Sequence, residues 1–261
     1  MKILTVDIGN SNICIGCAND HKVEFVERMH SDRNKTDLEY AVLVKMVLDL
    51  HQIDITALHG AIISSVVPPL TDLLSNAVEK LTGVRPMIVG PGMKTGINIL
   101  PQGVGADLVV GAVAAIEDYG APCIIIDMGT ATTMTVVDNK KNFIGGIIFP
   151  GVAIALQSLE SGTAQLPHIQ LKAPAKVINM DTIDSMQAGV VYGNAGAMDA
   201  LIDRMLAELG YPATVIASGG LAPLIVPHCK HDVIIDDELL LKGLDTLFYR
   251  NYKPNETKRA D

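Results

Sequence analysis

Ile3-Leu4-Thr5-Val6-Asp7-Ile8-Gly9-Asn10-Ser11-Asn12 and Ile124-Ile125-Ile126-Asp127-Met128-Gly129-Thr130-Ala131-Thr132-Thr133 follow one plan. Each is a β-rich apolar run that ends in Asp-x-Gly, crosses a short polar segment and enters a second apolar run. A third strand follows in each case, Val23 to Met29 in the first and Phe143 to Phe149 in the second. Strand–turn–strand succession of this kind predicts an antiparallel meander rather than a crossover unit.

A second echo comes later, in the same order. Ala61-Ile62-Ile63-Ser64-Ser65-Val66-Val67-Pro68-Pro69-Leu70 matches Val215-Ile216-Ala217-Ser218-Gly219-Gly220-Leu221-Ala222-Pro223-Leu224 in plan: a buried strand, a turn of small residues, a helix start. Short strands are expected after each, Pro86 to Val89 and Asp232 to Ile235. Two echoes in one order predict an internal duplication. The chain therefore divides into α/β halves at 1–118 and 119–248, with a polar tail at 249–261 that is expected to fray.

Helical patterns fill the intervals. Asp37 to Leu50 opens behind Thr36 or Asp37 as N-cap and is apolar nearly all round, which predicts burial in the domain or at a subunit contact. Lys45 and Asp49 form its exposed i,i+4 pair. Ala106 to Tyr119 ends at Gly120, a residue suited to the left-handed cap. Asp184 to Leu209 contains Gly189, Gly193 and Gly196, and is expected to bend or split.

The bulk properties narrow the function. With 261 residues and 49% hydrophobic content the chain can bury a large core, and no apolar run is long enough for a membrane helix. Asp7, with Gly9 and Asn10 close behind it, interrupts the apolar start that a signal peptide requires; four cysteines read as small buried hydrophobes lead to the expectation of a reduced, cytoplasmic protein. A formal charge of −9 argues against a nucleic-acid partner. ATP is still admissible, because backbone N–H groups and cations can meet its charge. Of the four cysteines, Cys14 and Cys17 form a C-x-x-C. On a strand these two point to opposite faces, and no second pair completes a metal site, so they read as small buried hydrophobes in a reduced compartment. His228 and His231 read as a solvated pair on a surface loop without an acidic neighbour. The methionines read as core filler.

The chemistry is carried by acidic residues at element ends. An Asp at the end of a buried strand can meet a hydrated cation that bridges to phosphate oxygens, and the glycine after it lets the backbone come close. Asn10, Ser11 and Asn12 in one half, and Thr130, Thr132 and Thr133 in the other, add short polar groups. Two such loops at equivalent positions of a duplication predict contacts to one polyphosphate. Gly90-Pro91-Gly92-Met93-Lys94-Thr95-Gly96 lacks the spacing of a P-loop. Gly103-Val104-Gly105-Ala106-Asp107-Leu108 leads into a helix whose first turn favours an ionised carboxylate, and Asp107 is the sole charged residue between Lys94 and Glu117. It is the candidate base for a phosphoryl-transfer reaction.

Taken together, Asp7–Asn12, Gly105-Ala106-Asp107, Asp127–Thr132, Gly145-Gly146 through Pro150-Gly151, Ser64–Pro68 and Ser218–Leu221 resemble the successive motifs of type III pantothenate kinases. The resemblance implies two duplicated RNase H-like domains of the actin-like ATPase fold, each a mixed sheet flanked by helices, and a homodimer. It implies that ATP is held by Asp7, Ile8, Gly9, Asn10, Ser11, Asn12, Ile13 and Cys14 and by Thr130. Pantothenate is implied at Gly105, Ala106, Asp107, Leu108 and Thr182, with Asp107 taking the proton from its hydroxyl. Asp127 is implied to bind a monovalent cation, K⁺ or NH₄⁺, and Asp7 to hold Mg²⁺ with ATP. Leu108 stands where the family carries Arg, and the shortened Asn98–Gly103 segment lacks the family's Tyr. These departures motivate the alternatives of a divergent nucleotide-binding paralogue or a regulator resembling the Bvg accessory factor.

Overall fold

The computed structural model describes residues 1–253. The chain forms two compact units: Met1–Asn98 with Gln102–Glu117 and the segment from Glu238 onward, and Ile99–Pro101 with Asp118–Asp237.

In the first unit, β1 (Lys2–Ile8), β2 (Asn12–Asn19) and β3 (Lys22–His30) form the expected meander. The chain then passes through α1 (Asp37–Leu50) to β4 (Gly60–Ser65), which lies parallel to β1, and through α2 (Pro68–Thr82) to β5 (Met87–Ile88). The resulting order is β3-β2-β1-β4-β5. Leu4, Val6 and Ile8 alternate onto one face and meet Tyr40, Val44 and Leu48 of α1 and Leu70, Leu74 and Val78 of α2. The opposite face carries Ile3, Thr5 and Asp7.

α1 is closed by a capping box: Glu39 N donates to Thr36 Oγ1, and Thr36 N donates to the Glu39 carboxylate at 2.7 Å. Its burial is one-sided, which differs from the all-round pattern read in the sequence. Leu38, Val42, Met46 and Leu50 are all at least half exposed, while Tyr40, Ala41, Val44 and Leu48 are buried. Lys45 and Asp49 pair at 2.8 Å as expected.

α3 (Ala106–Tyr119) follows the two-residue strand β6 (Asn98–Ile99) and ends at Gly120, whose φ is +81°. The second unit then repeats the first. β7 (Cys123–Met128), β8 (Ala131–Val137) and β9 (Asn142–Pro150) form the meander, and β10 (Thr214–Ser218) and β11 (Ile234–Ile235) extend the sheet in parallel. The full order is β11-β10-β7-β8-β9-β6, which contains the first unit's plan with β7 in the place of β1. α4 (Val152–Ser161), α5 (Thr182–Leu209) and the short α6 (Ala222–Ile225) supply its helices.

Three further expectations are corrected. α5 is one unbroken helix of 28 residues, because its capped ends (Asp181 and Gly210) and its buried face carry it past the glycines. A Cβ at Gly189, Gly193 or Gly196 would meet nothing within 4 Å, so these glycines mark an open stripe rather than a break. α7 (Leu239–Asn251) packs with the first unit, not the second: it lies along β1, β2 and β4, and Leu241, Leu244, Leu247 and Phe248 are at most 1% exposed. The division at 119–248 was drawn from contiguous sequence and could not show that return. Tyr249 to Asn251 complete α7, and residues 254–261 of the expected tail lie outside the described residues.

His231 is the third correction. Its Nε2 lies 2.9 Å from Asp203, and the N–H groups of Lys230 and His231 donate to the Asp199 carboxylate, so α5 supplies the acidic partners that local sequence did not show. Met128, Met134, Met186 and Met198 are core residues, whereas Met46 and Met180 are exposed.

Candidate active site

The two Asp-x-Gly strands end in the same local construction. In β1, Asp7 pairs with Cys14 of β2 on one side and with Ser64 of β4 on the other. In β7, Asp127 pairs with Thr133 of β8 and with Ser218 of β10. Each carboxylate thus sits between two small side chains in a row across its sheet. Ser64, Ser218 and Thr133 were not singled out as partners, because strand register is a tertiary fact. For Ser64 and Ser218 the signal was their matching place in the second echo, and for Thr133 its place among the polar residues of the first.

The first loop is held by Ser31, the residue that follows β3. Gly9 N donates to Asn12 O at 3.0 Å and closes the turn, Ser31 Oγ donates to Gly9 O at 2.7 Å, and Ser31 N donates to Ser11 O at 3.0 Å. Asn10 and Asn12 are left exposed at its tip, while Asp7 is only 8% exposed. The Oγ of Ser64, fully buried beside Asp7, has no hydrogen-bond partner. A buried orphan oxygen next to a carboxylate fits a hydrated divalent cation, which needs few protein ligands when phosphate oxygens complete its shell.

The second loop is buttressed from behind. A Cβ at Gly151 would fall 2.3 Å from Thr130 O, and one at Gly219 would fall 2.6 Å from Met128 O. Both glycines are there because backbone passes against the back of the loop. Thr130 is exposed at its tip. Thr133 Oγ1 is buried without a partner, so the Asp127 row, with Thr133 and Ser218, offers hard oxygens of the kind a monovalent cation takes. Among the described residues no group of three or more His, Cys, Asp or Glu side chains could hold a metal, so any ion here depends on these mixed oxygen sets.

Asp107 lies in the first turn of α3 and its carboxylate accepts from Leu108 N at 2.8 Å. Burial raises its pKa above the ordinary carboxylate value, with the N–H groups of Leu108 and Asp107 itself opposing. A partly desolvated carboxylate is a stronger base than a solvated one. Val66 N donates to Ile8 O at 3.1 Å, and the backbone at Gly105 lies against the Val66 side chain. The start of α3 therefore stands at the same sheet end as the Asp7 loop. Gly105, Ala106 and Leu108 accompany Asp107 there, half-buried.

Thr182 is the first residue of α5, behind Asp181, whose side chain accepts from Asp184 N at 2.9 Å. It lines an open concavity of about 590 Å³ in the second unit, together with Leu159, Met180, Ser185, Met186 and Val190. Asp7 to Cys14 and Gly105 to Leu108 belong to the first unit; Asp127, Thr130 and Thr182 belong to the second.

The glycine-proline segment Gly90–Gly96 has no phosphate-loop geometry. It is tied to α7, where Arg250 donates to Thr95 O and its guanidinium also pairs with Glu117 at 2.6 Å. Cys14 and Cys17 are free thiols pushed by burial to about 11 and about 12, which removes them from redox chemistry at neutral pH.

Two sheets of the same strand order, each opening on an Asp-x-Gly hairpin, define the actin-like ATPase fold. Solved structures agree on the fold: component A of (R)-2-hydroxyglutaryl-CoA dehydratase from Acidaminococcus fermentans (TM-score 0.58, 13% identity, 98% of both chains) and an inorganic polyphosphate/ATP-glucomannokinase from Arthrobacter (TM-score 0.51, 12% identity, 96% and 99%). A Campylobacter jejuni protein solved under the name of a Baf-family transcriptional activator superposes with TM-score 0.59 at 18% identity, over 95% of this chain and 98% of that one. At that identity it too speaks for the fold alone. The chain belongs to the type III pantothenate kinase family: the family profile matches residues 3–204. A type III pantothenate kinase from Bacillus cytotoxicus is 42% identical over 252 residues, 95% of this chain and 96% of that protein.

Proposed function

We propose that the protein transfers the γ-phosphoryl group of ATP to the hydroxyl of pantothenate, giving 4′-phosphopantothenate and ADP, the first step of coenzyme A biosynthesis. Family membership across most of the chain supports the reaction, and the observation that carries the mechanism is the partly desolvated Asp107 at the start of α3. Asp107 accepts the hydroxyl proton as that oxygen bonds to the γ-phosphorus and the bond to the ADP oxygen breaks. The loop Asp7–Cys14 and Thr130 contact the polyphosphate. Gly105, Ala106 and Leu108 flank the acceptor, and Thr182 binds it from α5.

Asp7 with Ser64 would hold Mg²⁺, which neutralises phosphate charge. Asp127 with Thr133 would hold a monovalent cation, K⁺ or NH₄⁺. Leu108 supplies no charge to the pantothenate carboxylate, so the acceptor is held chiefly by hydrogen bonds and apolar contact. The protein acts as a homodimer in this reading. Val177, Ile178 and Met180 are 66%, 90% and 106% exposed beside the start of α5, an apolar surface of the kind that a second copy covers. A cytoplasmic location is in keeping with these substrates, and no helix among the described residues is long and apolar enough to cross a membrane.

The test is ADP release by the purified protein with ATP, Mg²⁺ and K⁺, with and without pantothenate. Turnover that requires pantothenate is the expected result. Nucleotide binding without pantothenate-dependent ADP release would overturn the substrate assignment.

A further inference from the structure

The row that holds Asp7 does not stop at Cys14. Cys14 pairs with Arg28 of β3, so Ser64, Asp7, Cys14 and Arg28 stand side by side across four strands. Paired residues share a face, and this is the face opposite the Leu4, Val6 and Ile8 core. Two strand spacings of about 4.8 Å separate Arg28 from Asp7, a gap that an extended guanidinium largely crosses. The residue between them is a small thiol, which leaves that path open.

Of the cations of its unit without an ion pair among the described residues, Lys22, Arg28, Arg33 and Lys94, Arg28 alone stands in the Asp7 row. Lys2, Lys45, Lys80, Arg85 and Arg250 are each paired with a carboxylate. Arg28 is exposed and makes no hydrogen bond or ion pair among the described residues. In a chain of net charge −9, a guanidinium in the same strand row as a phosphate loop is suited to a charge-assisted phosphate contact.

We infer that Arg28 is a polyphosphate-binding residue of this kinase, reaching across Cys14 to the terminal phosphates of the nucleotide held by the Asp7–Cys14 loop. The inference rests on the assignment of that loop to ATP. The guanidinium contacts phosphate oxygens and leaves the nucleoside alone. It offsets, on the nucleotide side, some of the negative charge contributed by Asp7.

The experiment measures binding of ATP, ADP and adenosine, with Mg²⁺ present, to the full-length protein and to Arg28→Met, Arg28→Lys and Asp7→Asn. Arg28→Met is expected to weaken ATP by about tenfold or more, the loss of one charge-assisted contact, to weaken ADP less, and to leave adenosine unchanged. Arg28→Lys should recover part of the ATP affinity. ATP binding unaltered in Arg28→Met, or ATP and adenosine weakened equally, would overturn the inference. Asp7→Asn separates the two layers. If it loses the Mg²⁺ dependence of ATP binding while Arg28→Met binds normally, Arg28 alone is misassigned. If Asp7→Asn and Arg28→Met both bind ATP as the unaltered protein does, the loop assignment falls and Arg28 with it.

Discussion

At the scale of single residues, Asp107 joins stability to function. Its folded-state pKa is raised by burial, so its ionised form at neutral pH is held at a cost to the fold. Asp107→Asn keeps a side-chain oxygen for Leu108 N and removes that charge. The variant is expected to lose roughly 10²–10⁴-fold in kcat, the range of a general base, and to melt at a higher temperature than the unaltered protein. Turnover assays and thermal unfolding check the two halves of this statement, and full turnover would remove Asp107 from the mechanism. The same shift sets a pH profile. As the proposed base Asp107 must be ionised to accept a proton, so kcat is expected to fall as pH drops through its raised pKa. The acid limb is therefore expected above the ordinary carboxylate range, and absent from the residual activity of Asp107→Asn. Asp7, Asp107 and Asp127 stood out in the sequence because each is a charged residue at the edge of an apolar run, two closing a strand and one opening a helix. Thr133 was read as a loop polar group but not as the partner of Asp127, and Ser64 and Arg28 were not tied to Asp7, because such links come from pairing register, which joins positions up to 91 residues apart in this sheet pair.

Among elements, the hairpin meanders, α1 and α3 were readable from alternation and end signals, with the N-cap at Thr36, one of the two residues offered for it, and Gly120 after α3 as expected. α5 was misread for a physical reason: glycine propensity is a weak local cost, while a buried face and two capped ends act along the whole helix. The glycines that do matter are at loop backs. Gly219 has φ +100° and its missing Cβ leaves room for the Met128 backbone. Gly219→Ala must move β10 away from β7 at the Asp127 row. It is expected to destabilise the protein by at least about 1–3 kcal/mol and to weaken nucleotide binding. Urea unfolding with ATP titration reads both, and an unaltered ATP affinity would detach this loop from the nucleotide.

For the molecule as a whole, the duplication was visible because both echoes keep their order, and the repeated strand order is its structural form. The boundary was not visible, because α7 returns to the first unit after the chain has built the second. Phe248, 1% exposed, lies so close to β4 that a Cβ on Gly60 would fall 2.7 Å from its ring. Phe248→Ala is expected to cost about 3–5 kcal/mol, measured by urea unfolding. A loss well under about 1 kcal/mol would mean that α7 is not integral to that unit. The central claim concerns the reaction itself. ADP release with ATP, Mg²⁺ and K⁺ should require pantothenate, and should fall when Na⁺ replaces K⁺ at the Asp127 row. A folded, ATP-binding protein that releases no ADP in response to pantothenate would contradict it.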